Sequence, residues 1–191
     1  VYRDGKYLNA LGQSFRDFLK GQLPALPGQI PTLGDWADHL TTIFPEARVK
    51  QFIEMRGADG GPWRRLCALP AFWVGLCYDQ TTLDAAWDLV KDWDAETREN
   101  LRVAASQNGL NASVDGIELL ALSKEVVALA HQGLESRARK GANGLLANET
   151  HFLNALHDTL ASGKSPADEL IELYNTEWQQ DVSPIFNAMS Y

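Results

Sequence analysis

The segment FIEMRGADGGPWRR, residues 52–65, gathers the side chains best suited to chemistry. Read as a strand, it points alternate residues to opposite faces. Ile53 and Met55 then share one face, suited to a core, while Glu54 and Arg56 share the other, roughly 7 Å apart. Gly57, Gly60 and Gly61 follow, where the bare backbone lets a ligand approach its N–H groups. Arg64 and Arg65 come next, at the start of a helix whose dipole also favours anions. A carboxylate able to hold Mg²⁺, an arginine beside it and a cationic helix entry are parts that phosphoryl transfer uses. The glycine loop matches neither a Walker A nor a GxGxxG pattern. The alternative is a solvated charge pair worth less than about 1 kcal/mol.

Other candidates are poorer. Asp35 and His39 stand four apart on a predicted helix, where a local side-chain pair competes with a metal site. His131, His151 and His157 are not spaced with acids or cysteines as ligands would be, and no GxSxG elbow occurs. The aromatic residues Trp63, Phe72, Trp73, Trp87, Trp93 and Trp178 are read as core.

The elements that must position this segment follow from periodicity and punctuation. Val1 to Leu8 reads as a hairpin around Asp4-Gly5. With no initiator methionine and only a stub of first strand, the chain is expected to be a fragment of a larger fold. Phe15, Phe18 and Leu19 mark a short helical face, and Pro24 to Pro31 a loop. Thr32 or Asp35 starts a helix with Trp36, Leu40 and Ile43 or Phe44 on its apolar side, and Pro45 stops it. Arg48 to Met55 is the strand. Beyond Pro62 the pattern turns helical, with a reset at Pro70 and a helix capped by Thr81 or Thr82. Asp94 caps the next helix, and residues 108–116 read as a loop. The longest helix runs over 119–139 and is ended by Gly141 to Gly144. Asn148 opens another, and Ser165-Pro166-Ala167-Asp168 starts the last with a Ser cap, a Pro at the first position and an acid in the first turn. The fold class is α+β: a predominantly helical chain with a few antiparallel strands.

Composition narrows the function classes. The 191 residues are 45% hydrophobic with six tryptophans, a folded globule of one domain. A net charge of −8 disfavours nucleic acid and anionic membranes as partners. No apolar run reaches about 18 residues, so no transmembrane helix is expected, and no signal peptide is seen. Cys67 and Cys77 match no zinc spacing and read as buried thiols of a reducing cytoplasm, with a regulatory disulfide as the alternative.

Longer blocks carry a resemblance. DWADHLTTIFPEARVK and EMRGADGGPWRRLCALPAFWVGLCYD, with VYRDGKY near the start and LYNTEWQQDVSPIF near the end, resemble glutamate–cysteine ligase of the plant and proteobacterial type. The resemblance covers almost the whole chain. It implies an ATP-dependent ligase that joins the γ-carboxylate of glutamate to the amine of cysteine through an acyl phosphate, the first step of glutathione synthesis. It also implies a glutamine-synthetase-like catalytic fold, of which residues 1–191 form the C-terminal part and the N-terminal half is absent. On that analogy Glu54 is a Mg²⁺ ligand, Arg56 faces the transferring phosphate, and Arg64 and Arg65 bind anionic substrate. The fuller set of metal carboxylates is expected upstream, so the chain alone is expected to be silent. The competing readings are a related ligase with another acceptor and a non-catalytic helical module used for dimerisation or docking, and a homodimer is one expected assembly.

Overall fold

A computed structural model describes residues 1–140, 144 and 146–190, without the side chains of Lys140 and Leu146. It divides into two compact units, residues 1–58 and 59–191. Short antiparallel strands and helices make up both, as expected for an α+β chain.

In the first unit β1 (Tyr2–Arg3) and β2 (Lys6–Tyr7) pair around a tight turn. Asp4 and Gly5 both take positive φ there, 49° and 76°, as a two-residue hairpin with this twist demands. α1 (Phe15–Phe18) is capped by Ser14, and its Phe18 joins Leu23 and Leu26 in a small buried cluster. α2 (Leu33–Thr41) begins at a capping box: the Thr32 hydroxyl accepts from the Asp35 backbone N–H, and the Asp35 carboxylate accepts from the Thr32 backbone N–H. Asp35 is buried and also holds the Arg3 guanidinium in a bidentate pair, 2.6 and 2.8 Å, tying β1 to α2. His39 stacks on Phe15 with ring centroids 4.4 Å apart. Asp35 and His39 thus have different partners, Arg3 and Phe15, rather than the local pair with each other that their spacing suggests.

The expected strand over 48–55 is instead a hairpin, β3 (Ala47–Val49) with β4 (Ile53–Met55). Ile53 is 65% exposed and Val49, its cross-strand partner, 82% exposed, so the face read as core is open in this unit.

The second unit begins with α3 (Trp63–Leu66) and α4 (Ala68–Cys77). The break at Cys67 comes three residues before Pro70, because a proline ring collides with the carbonyl four residues back and cannot accept the helix across that point. α5 (Gln80–Val90) is capped by Asp79, which accepts from the Thr82 backbone N–H at 3.0 Å. The expected threonine cap is therefore displaced, and Thr82 is buried with its hydroxyl donating to the Gly75 carbonyl at 2.8 Å. α6 (Ala95–Asn108) starts at Asp94 as expected. The segment read as a loop contains a second Asp-Gly hairpin, β5 (Ser113–Val114) with β6 (Ile117–Glu118).

α7 (Leu119–Ser136) ends three residues earlier than expected and leads into β7 (Arg139–Lys140), which pairs with β8 (Leu146–Ala147). Of the glycine stop over 141–144, residues 141–143 lie outside the described residues. A 3₁₀ turn (Thr150–Leu153), α8 (Asn154–Ser162), α9 (Pro166–Asn175) and α10 (Ile185–Ala188) complete the unit. α9 opens with the expected Ser165 cap and Pro166 at the first position, and the acid of its first turn, Asp168, closes a capping box with Ser165.

The core of this unit is the crossing of α4 and α7. Ala71, Leu76, Ala130, Leu134 and Leu153 are buried together. At the closest point there is no room for a side chain: a Cβ on Gly75 would stand 2.1 Å from the Ala130 carbonyl oxygen, and one on Gly133 1.9 Å from that of Gly75. Of the aromatic residues read as core, Phe72, Trp73, Trp93 and Trp178 are half-buried, whereas Trp63 and Trp87 are exposed. Periodicity marks a face but not what covers it. Cys67 is half-buried and Cys77 exposed, both as free thiols, so the expectation of two buried thiols holds for neither.

Two stability outcomes follow. Gly133→Ala drives a methyl into backbone and should cost about 3 kcal/mol in chemical denaturation. The Arg3 guanidinium, hydrogen-bonded to Asp35, holds that carboxyl far below the usual range, with the Thr32 groups assisting. A depressed folded value means stability present above the ordinary Asp range and lost as pH falls below about 4. Asp35→Asn should cost roughly 3 kcal/mol at neutral pH and flatten that acid limb in urea unfolding across pH.

Candidate functional site

The hairpin β3–β4 sets the geometry around Glu54. Its register places Arg48 directly opposite Glu54, with Ala47 opposite Met55 and Val49 opposite Ile53. The Arg48 guanidinium lies 2.8 Å (Nε) and 2.7 Å (Nη2) from Glu54 Oε2, and Lys50 Nζ stands 3.9 Å from the same oxygen. The Arg48 hydrogen bond is the main reason the Glu54 carboxyl is held below the ordinary range; the charges of Lys50 and Arg56 add to it. The ladder bond from the Arg56 N–H to the Glu46 carbonyl continues the register one residue past β4, and alternation then puts Arg56 on the Glu54 side. Sequence reasoning missed Arg48 because it took residues 48–55 as one strand. The signal available was the i, i+6 spacing of opposite charges across a three-residue turn.

Arg56 continues the ladder by one bond, its N–H donating to the Glu46 carbonyl at 2.8 Å. Its guanidinium lies over the Phe44 ring, 5.5 Å from the centroid. Nη1 is buried and has no hydrogen-bond partner among the described residues. An orphaned donor on a charged group is costly unless something occupies it. Just beyond, a Cβ on Gly57 would come within 2.7 Å of the Glu46 carboxylate, so glycine leaves space that this carboxylate fills.

In the second unit Arg64 and Arg65 diverge, as successive residues on a helical turn must. Arg64 is exposed. The Arg65 side chain is 14% exposed, with Nη2 3.4 Å from Glu169 Oε2 on α9 and Nε buried without a partner among the described residues. Glu169 too was missed, because 104 residues separate it from Arg65. Glu54 and Arg56 thus share one side of a hairpin in the first unit, and Arg64 and Arg65 share a helical turn in the second.

Magnesium asks for several hard oxygen donors. Glu54 is one carboxylate already flanked by two cations, and among the described residues no three His, Cys, Asp or Glu side chains are grouped as a metal site requires. The residues present do not by themselves make a Mg²⁺ site. Among the described residues, no helix is long and apolar enough to cross a membrane.

Comparison with known proteins gives this geometry its context. The model of the glutamate–cysteine ligase family 2 (GCS2) matches residues 3–188. The chain belongs to this family. It is similar to glutamate–cysteine ligases named as chloroplastic: 50% identical over 192 residues to that of Solanum lycopersicum and 50% to that of Arabidopsis thaliana, and 48% over 191 residues to ligase A of Oryza sativa subsp. indica. Each alignment covers all of this chain but only 35–37% of the relative, so the chain spans about a third of their length. The names also correct the cytoplasmic expectation: these GCS2 relatives are chloroplast proteins. Thiol content reports redox environment rather than address, and the address of such proteins is carried by a leader segment.

The ion pair at Glu54 can be tested directly. Because its folded value is depressed, the Arg48–Glu54 pair contributes above the ordinary Glu range and is lost as pH falls through the folded value. In a carboxyl-carbon NMR titration, Glu54 should show a midpoint below about 4.3, and Arg48→Gln should move it upward towards that value.

Proposed function

We propose that this chain acts as the C-terminal part of a longer ATP-dependent ligase that joins the γ-carboxylate of glutamate to the amine of cysteine. The observation that carries the reading, beside family membership, is the buried Nη1 of Arg56, which has no partner among the described residues, on a strand end whose register puts it on the Glu54 side. A guanidinium in that condition suits a phosphate oxygen, which accepts a charge-assisted hydrogen bond and supplies the opposite charge.

The chemistry needs such a group. A carboxylate is a poor acyl donor. Transfer of the γ-phosphoryl group of ATP to the glutamate γ-carboxylate releases ADP and leaves an acyl phosphate. The cysteine amine then attacks the acyl carbon, the C–N bond forms, inorganic phosphate departs, and the amine loses a proton. Charge spreads over the phosphoryl oxygens during transfer, and a fixed cation there lowers the barrier. Arg56 is our proposal for that cation in the first unit; Arg64 is, separately, our proposal for an anion-binding side chain of the second. ATP would bring Mg²⁺ with it, and Glu54 is the carboxylate this chain would add to an ion site completed by the rest of the longer protein. No nucleophilic side chain is needed.

The open apolar face of the β3–β4 hairpin supports the same reading. A two-stranded hairpin is marginal alone, and Val49 and Ile53 are what a strand pair shows when it belongs to a wider, glutamine-synthetase-like sheet.

In the longer protein, Arg56→Lys should lower kcat for γ-glutamylcysteine formation about 10²-fold with unchanged thermal unfolding. Turnover that survives the substitution would remove Arg56 from the chemistry. The 191-residue chain assayed alone should release no phosphate from ATP with glutamate and cysteine.

A further inference from the structure

α3 presents a physical problem. A single helical turn is far too short to persist on its own propensity. Pro62 stands at its N-cap with no side-chain cap, and the helix breaks at Cys67. Something tertiary must hold it, because it carries the glycine turn on one side and α4 on the other.

Packing of α3 against α8 gives part of that hold, and the contacts of Arg65 add a directed one. Its stem lies along Gly61, where an added Cβ would be 3.4 Å from Arg65 Cβ and 3.6 Å from Cδ. Its guanidinium reaches Glu169, the only ion pair made by α3 among the described residues. The backbone that carries Glu169 is fixed, since α9 starts at the Ser165–Asp168 capping box and Gly109 lies directly beneath that cap, 3.2 Å from Ser165 Oγ measured from an added Cβ. Arg65 Nη2 is paired and its Nε is closed off inside the fold, without a partner among the described residues, whereas the neighbouring Arg64 is exposed and open to a ligand.

We propose that Arg65 is a positioning residue: its clamp on Glu169 sets the Gly60–Gly61–Pro62 turn and presents Arg64 to an anionic ligand of the nucleoside triphosphate class. This assigns to the two arginines different tasks, where the pattern RR suggests one. It rests, for the identity of the ligand, on the ligase reading above; the clamp itself does not. Arginine is required because its planar fork and long stem fill the site along Gly61 and reach Glu169 together, and a lysine replaces only the charge.

The clamp is tested on the 191-residue chain by amide hydrogen exchange over residues 59–67. Glu169→Gln and Arg65→Lys should each speed exchange there about tenfold, and the charge reversal Arg65→Glu with Glu169→Arg should restore much of the protection that Arg65→Glu alone removes. Unchanged exchange in both single variants, or a reversal no better than Arg65→Glu alone, overturns the clamp. The positioning role is tested in the longer protein with ATP, glutamate and cysteine. Glu169→Gln should raise KM for ATP about fivefold with kcat within twofold, and Arg64→Gln should do the same without altering exchange over 59–67. A normal KM for ATP in Glu169→Gln, alongside faster exchange, makes Arg65 structural only and overturns the proposal. Absence of ATP-dependent ligation in the unsubstituted longer protein overturns the ligase reading and the nucleotide assignment with it, while the exchange data still decide the clamp.

Discussion

Two helices that touch backbone to backbone set the terms for the second unit. Where α4 and α7 cross, Gly75 and Gly133 leave no gap for even a methyl group. Such an approach has no tolerance: the helices cannot slide or rotate without driving side chains into carbonyls. The Thr82 hydroxyl on the Gly75 carbonyl locks the start of α5 to the same point, and Ala71, Leu76, Ala130, Leu134 and Leu153 close around it. α3, one turn upstream of α4, inherits a fixed departure point from this crossing. A rigid helical body of this kind is what a site on short, irregular segments requires, since the segments themselves have little to hold them.

Charge is distributed by the same logic. The chain is acidic overall, yet the cations near the glycine loop have separate, individually determined situations. Arg48 neutralises Glu54 across a hairpin, Arg65 pairs one nitrogen with Glu169, and Arg56 lies over Phe44; among the described residues Arg56 Nη1 and Arg65 Nε are buried without a partner. Net charge speaks to solubility and long-range steering; anion recognition depends on which guanidinium is left with unmet hydrogen bonds. By that criterion Arg56 differs from Arg48 in the first unit; in the second, Arg64 differs from Arg65 by exposure instead.

Much was legible before any coordinates. Asp4-Gly5 forms its hairpin, Ser165 to Asp168 its capping box, and Pro70 its helix reset, each because the determining groups lie within four residues of one another. The shared side of Glu54 and Arg56 follows from alternation alone. The second Asp-Gly turn, at Asp115-Gly116, carried the same signal as the first. The β3–β4 turn did not: Lys50, Gln51 and Phe52 include none of the residues that advertise a turn, so a hairpin was read as one strand.

What the sequence by itself determined about this protein is therefore local: caps, breaks, alternation, the α+β class, and the block of residues that marks the glutamate–cysteine ligase family 2. What only the tertiary structure decided is partnership. Glu54 belongs to Arg48, Asp35 to Arg3, Arg65 to a glutamate 104 residues away, and Gly133 to the backbone of another helix. These depend on distances across the folded chain, and neither propensity nor periodicity carries information about which faces will meet.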